Sequence, residues 1–284
     1  MPVNSAWIPQ FRSRSPHVGV AQLVLKTCGF DAAKAGFALT AALLEHEMRP
    51  NLLVTWTGKD INTSVSTLTD AESAKYVDRL RDIVTSGLWM TVPPERIEGF
   101  GPSFISYKAP MTCFTEVRLS ITKEHSRRYG LLGIAVDRCF VLDRLGGPVH
   151  YVRNGPDECV VGNVNAIRDH VIKTASPAVE NYLAVNAAFL KPMSTATTDD
   201  FSYIDENEWR IVHTHRGEEK GSIVKTGRSV PLYRIPLHPN DVQLVVFPDS
   251  KTRARAVADP TISRFFARQD RPFVFLLVEE CLQF

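Results

Sequence analysis

The sequence predicts an α+β protein, a mainly antiparallel mixed sheet with flanking helices. Short β-branched or apolar runs of strand length recur along the chain, and helix-period segments interrupt them. In the C-terminal half the strands follow one another without crossover helices, which favours antiparallel pairing.

The elements follow in order. Residues 18–48 are alanine- and leucine-rich with one Gly-Phe-Asp break and read as two helices, so residues 1–48 are expected to be a helical extension of an α+β domain over 49–284. "NLLVTWTG" alternates and is β-branched, hence a strand. "DAESAKYVDRLRDIVTSGL" is a helix whose apolar positions Tyr76, Val77, Leu80, Ile83 and Val84 share one face, stopped by Gly87. From Pro110 onward come the strand "MTCFTEV", a polar helical turn "SITKEHSRRYG", and the strands "LLGIAVDR" and "PVHYVRN". Residues 158–190 are helical with an interruption at Pro177. After the polar loop "MSTATTDD" the strands "EWRIVHT", "SIVKT", "VPLYRIPL" and "VQLVVFP" lead to a helix "RARAVADPTISRFFAR" and a last strand "FVFLLVEE".

At 284 residues, 44% hydrophobic and 23% charged, the chain can bury a sizeable core. Its net charge of +2 gives no global basic field of the kind that marks nucleic-acid binders. The N-terminus lacks a secretory cleavage pattern, and the longest apolar runs, "LLGIAV" and "FVFLLV", are far below a membrane span; the expectation is a cytoplasmic protein with no membrane partner. Cys28, Cys113, Cys139, Cys159 and Cys281 show no C-x-x-C spacing and read as buried reduced thiols. His213 and His215 have metal-ligand spacing but no evident third ligand, so no metal is expected. Neither a P-loop nor a G-x-G-x-x-G is present.

The densest chemistry lies in "FSYIDENEWRIVHT". On a strand, Glu206, Glu208 and Arg210 would share one face while Trp209 anchors the other. A Glu-x-Glu entering a strand after a polar loop resembles the way ADP-ribosyltransferases present their catalytic glutamate. That resemblance implies an ADP-ribosyltransferase-like fold, NAD as substrate, and Glu208 and Glu206 as catalytic residues. A fixed carboxylate stabilises the positive charge that develops on ribose as the nicotinamide bond breaks. It further implies NAD contacts from Thr55 and Thr57 on the first strand, where such transferases carry a His or Arg, and from Phe114 and Thr115 on a central strand.

"APMTCFTEVRLS", "HSRRYGLLGIAVDR", "PVHYV" and "DENEWRIV" together resemble the AbiGi family of abortive phage-resistance proteins, whose general layout in turn looks like the DarT-type transferases. The linked set is His125, Tyr129, Gly130, Pro148, Val149, Tyr151, Glu208, Trp209 and Arg210. The family is described as the antitoxin side of a two-component defence system, which implies a cognate toxin or antitoxin as partner. The transferase analogy implies a nucleic-acid acceptor. His125 and Tyr129 lie four apart and would share a helix face suited to a base, ribose or phosphate; Arg210 would face the same ligand. Arg127, Arg128, Arg138 and Arg144 make the region locally basic and, if they converge on Glu208, suit a pyrophosphate or nucleic-acid backbone. Two readings follow. An NAD-dependent transferase acting as a toxin or effector requires an open cleft lined by these residues. A non-catalytic antitoxin or partner-binding protein requires that the cleft be filled or Glu208 be locked by a basic group.

Overall fold

The computed structural model describes residues 52–62, 68–93, 96–98, 104–106, 109–116, 122–153, 159–174, 177–193, 203–270 and 274–283. Residues 50–284 form one compact unit; the expected N-terminal helices and the "MSTATTDD" loop lie outside the described residues.

In chain order the elements are β1 Leu52–Thr57, α1 Asp70–Ser86, β2 Leu88–Met90, β3 Arg96–Glu98, β4 Phe104–Ser106 and β5 Met111–Thr115. There follow α2 Thr122–Tyr129, β6 Leu132–Asp137, α3 Arg138–Asp143, β7 Gly147–Pro148 and β8 His150–Val152. The helical pair α4 Cys159–Thr174 and α5 Pro177–Ala187 leads to β9 Leu190–Pro192 and β10 Glu208–Val212. The chain then runs through α6 His215–Glu219, β11 Val224–Lys225, β12 Tyr233–Ile235, β13 Val242–Phe247, α7 Ser250–Ala258, α8 Pro260–Phe266 and β14 Val274–Leu277.

Among the described residues the main sheet has seven strands in the order β14-β13-β6-β1-β5-β10-β7. Its pairings are antiparallel except β13–β14, which is parallel. That exception corrects one expectation: α7 and α8 form a crossover in the C-terminal half, and a crossover returns the chain parallel. The expected single helix over residues 253–268 is two helices. Asp259 supplies the break, capping the second with a side chain that accepts from Thr261 and Ile262 N–H ahead of Pro260.

Alternation places Leu53, Phe114, Ile134 and Ile211 on one face of the sheet, in the cluster that also holds Tyr76, Leu80 and Ile83 of α1. Helix α1 is fixed by a reciprocal capping box between Thr69 and Glu72 and stops at Gly87, as its apolar period predicts. The opposite face carries Met111 and Val212, packed with Val161 of α4 and with Ala188 and Leu190 beyond α5. Cys281 is buried and reduced as expected, but Cys139 is exposed and Cys113 only half-buried.

Candidate functional site

Strand β10 sets the site. Glu208, Arg210 and Val212 point to the α4 face of the sheet, whereas Trp209 packs on the α1 side and donates its indole N–H to Glu116 at 2.9 Å. Glu206 does not lie on this strand. It ends a 3-10 turn, Tyr203–Glu206, and Asn207 at φ 43° turns the chain before β10 begins. Asparagine tolerates that left-handed conformation, so the two acids meet by a reversal of the backbone and not by strand periodicity.

Both carboxylates are buried, Glu206 1% and Glu208 2% exposed. Arg210 Nε donates to Glu208 Oε1 at 2.6 Å, and the Lys191 ammonium sits between the acids, 2.6 Å from Glu206 Oε2 and in contact with Glu208 Oε2. Arg210 is wholly buried and also donates from Nη1 to the Ala188 carbonyl at 2.6 Å, where the chain leaves α5. Lys191 arrives through the parallel pair β8–β9, whose register sets Tyr151 opposite Lys191. The Tyr151 hydroxyl accepts the Glu208 backbone N–H at 2.8 Å. Tyr129 closes the cluster, its phenol donating to Glu206 Oε1.

Electrostatics separates the two acids. Burial acts to raise the Glu208 carboxyl, but the Arg210 guanidinium and Lys191 ammonium outweigh it and hold the group down at about 2. For Glu206 burial prevails over Lys191 and the Tyr129 hydrogen bond, and its carboxyl is raised. Burial, with Glu206 beside it, pushes the Tyr129 phenol up as well.

Beside the cluster lies a cleft of about 450 Å³, bordered by Thr55, Thr57, Thr115, Tyr129, Glu206 and Glu208. Six sequence-derived candidates therefore meet there. The other three do not line it. Phe114 is in the core, edge-to-face against Phe140 at 6.4 Å. Arg210 lies behind Glu208. His125 does share a face with Tyr129, their rings stacked at 6.4 Å, but it is buried and burial lowers its pKa.

The basic residues do not converge on Glu208. Arg138 pairs with Glu116, Arg144 with Asp241, and Arg128 lies over the Tyr203 ring; the cations on Glu208 are Lys191 and Arg210. Arg127 makes no ion pair or ring contact among the described residues. His213 is held by Glu218 at 2.6 Å, and no group of side chains able to hold a metal occurs among the described residues.

Sequence reasoning missed Lys191 and Arg79. The signal for Lys191 was a lone charge inside the apolar run "FLKPM". Arg79 crosses the cleft wall: it donates to Thr57 Oγ1 at 2.8 Å, pairs with Asp60 at 2.8 Å and lies 4.4 Å over the Trp89 ring. Two glycines shape this wall. A Cβ at Gly130, φ 117°, would stand 2.2 Å from the Thr57 carbonyl, and one at Gly133 2.7 Å from the Trp56 ring.

No curated protein and no solved structure matches the chain. No helix of the described residues is long and apolar enough to cross a membrane. One family model does match, described as "Putative abortive phage resistance protein AbiGi, antitoxin", over residues 98–233. The match takes in β5, β6, β7 and β10, while β1, which lies between β6 and β5 in the sheet, falls outside it. Residues 98–233, the stretch that carries Glu206, Glu208, Lys191 and Arg210, are thus similar to the AbiGi family of abortive phage-resistance proteins.

Proposed function

We propose that the protein is the non-catalytic, antitoxin component of an abortive-infection toxin–antitoxin pair. The observation that carries this reading is the state of Glu208: one oxygen takes the Arg210 guanidinium and the other the Lys191 ammonium. A carboxylate that must stabilise charge developing on a substrate is weakened when two fixed cations already neutralise it in a buried site. The family description supports the same side of the system. The partner is a toxin protein, recognised by the folded chain.

Expression in a bacterial host tests the proposal. The chain alone leaves growth unchanged, whereas the product of the gene adjacent to it arrests growth alone, is neutralised when the two are expressed together, and co-purifies with this chain. Growth arrest by the chain alone, relieved by Glu208→Gln, overturns the reading.

The meeting of Thr55, Thr57, Thr115, Tyr129, Glu206 and Glu208 at one cleft favours a second reading, an NAD-dependent ADP-ribosyltransferase-like effector acting on nucleic acid. Its signature is nicotinamide release from NAD, alone or with RNA or DNA, that Glu208→Ala abolishes.

A further inference from the structure

The cleft has features that an antitoxin role does not require. It opens where β1 and β5 separate, since these neighbours register only at Val54–Thr115 while β1 pairs with β6 along its whole length. Its volume of about 450 Å³ falls within the range of small-molecule sites. Trp56, Trp89 and Tyr129 supply aromatic wall, and Thr55, Thr57 and Thr115 supply hydroxyls.

Polar capacity is left over in it. Among the described residues the buried indole N–H of Trp56 has no acceptor. Leaving a buried donor unmade costs free energy that a ligand acceptor would recover. Each carboxylate oxygen of Glu206 and Glu208 takes one donor from Lys191, Arg210 or Tyr129, and an ionised carboxylate has about four lone-pair sites. The spare acceptors suit hydroxyl donors, as carboxylates suit ribose hydroxyls elsewhere.

Charge narrows the class. Of the cations bordering the cleft, Arg79 is held by Asp60 and Lys191 by both glutamates, so neither stands ready for an anion. Lys59, exposed beside Asp60, makes no ion pair among the described residues. A cleft so balanced takes an uncharged ligand, with room at Lys59 for one phosphate and no cation for a second.

We infer that the cleft between β1 and β5 binds a ribonucleoside, or its monophosphate, without turning it over. The aromatic wall takes the base, and the floor carboxylates take the sugar hydroxyls. Trp56 donates to a ligand acceptor, and Lys59 adds affinity only when a phosphate is present. This inference is independent of the antitoxin reading, because ligand binding and toxin neutralisation are read in separate assays.

The test is calorimetric titration of the full chain with adenosine, guanosine, cytidine and uridine, each beside its 5′-monophosphate. At least one nucleoside binds saturably at one per chain. Trp56→Phe, which keeps an aromatic ring and removes the donor, weakens that binding about tenfold, the worth of one hydrogen bond. Lys59→Ala leaves the nucleoside unchanged and removes the extra affinity of the monophosphate. The inference is overturned if folded wild-type protein binds none of the four at millimolar concentration. It is equally overturned if binding is unchanged in Trp56→Phe, which would place the ligand elsewhere.

Discussion

Arg210 Nε lies 2.6 Å from Glu208 Oε1, two residues apart on one strand face, with neither side chain more than 2% exposed. Such a pair is costly to break from one side, because the surviving charge stays buried without its partner. Glu208→Gln and Arg210→Met should each cost about 3 kcal/mol in urea unfolding, and the double variant clearly less than their sum. Additive costs would show that the two groups do not form a unit.

Acid titration should separate the two glutamates. The folded Glu208 carboxyl stands at about 2 against an ordinary 4.5, so its contribution is present above 4.5 and lost as pH falls toward 2. Glu206 is raised, so what it contributes is present below its ordinary value and lost as pH rises through the folded one. At neutral pH the wild type should therefore be more stable than Glu208→Gln and, from the titration of that group, less stable than Glu206→Gln. Both differences shrink as the pH is lowered. Unfolding midpoints measured across the acid range check the opposite signs.

Gly130→Ala should destabilise by about 2 kcal/mol or more, since an L side chain at positive φ is strained and there is no space beside the Thr57 carbonyl. The same substitution at Gly221, also at positive φ but with open space around it, carries only the backbone cost. Thermal unfolding of the two variants separates backbone strain from collision.

The family-matched segment should not fold alone. Excised residues 98–233 lack β1, which pairs with β6 over six register positions, and β13, which covers the other edge of β6. Circular dichroism and amide spectra of the excised segment should be those of an unfolded or molten chain, whereas residues 50–284 should unfold cooperatively. A cooperative transition in the short segment would show that β6 finds other partners.

Periodic features were legible because local pattern fixes them. The apolar face from Tyr76 to Val84 and the stop at Gly87 place α1 without knowledge of the rest of the chain. The alternation of Glu208, Trp209 and Arg210 likewise gave the correct two faces of β10. What failed depended on distant pairing or on one backbone angle. Glu206 left the strand because Asn207 adopts positive φ, which several residue types could have refused. Lys191 reaches Glu208 only because β9 lies parallel to β8, across the α4–α5 pair, and no spacing in the sequence encodes that. The basic residues near Tyr129 looked like one patch along the chain, yet the fold sends Arg138 and Arg144 to separate acids.

The single register pair between β1 and β5 also has a mechanical meaning. It divides the seven strands into two plates, β14-β13-β6-β1 and β5-β10-β7, joined along a seam at Val54–Thr115 that the Thr115 hydroxyl reinforces by donating to the Val54 carbonyl at 3.2 Å. Bending is concentrated where the ladder is shortest, so the seam is where the sheet opens at least cost. Glu208 and Arg210 ride on one plate and the Arg79 wall stands on the other, so the width of the cleft between them is set at this seam.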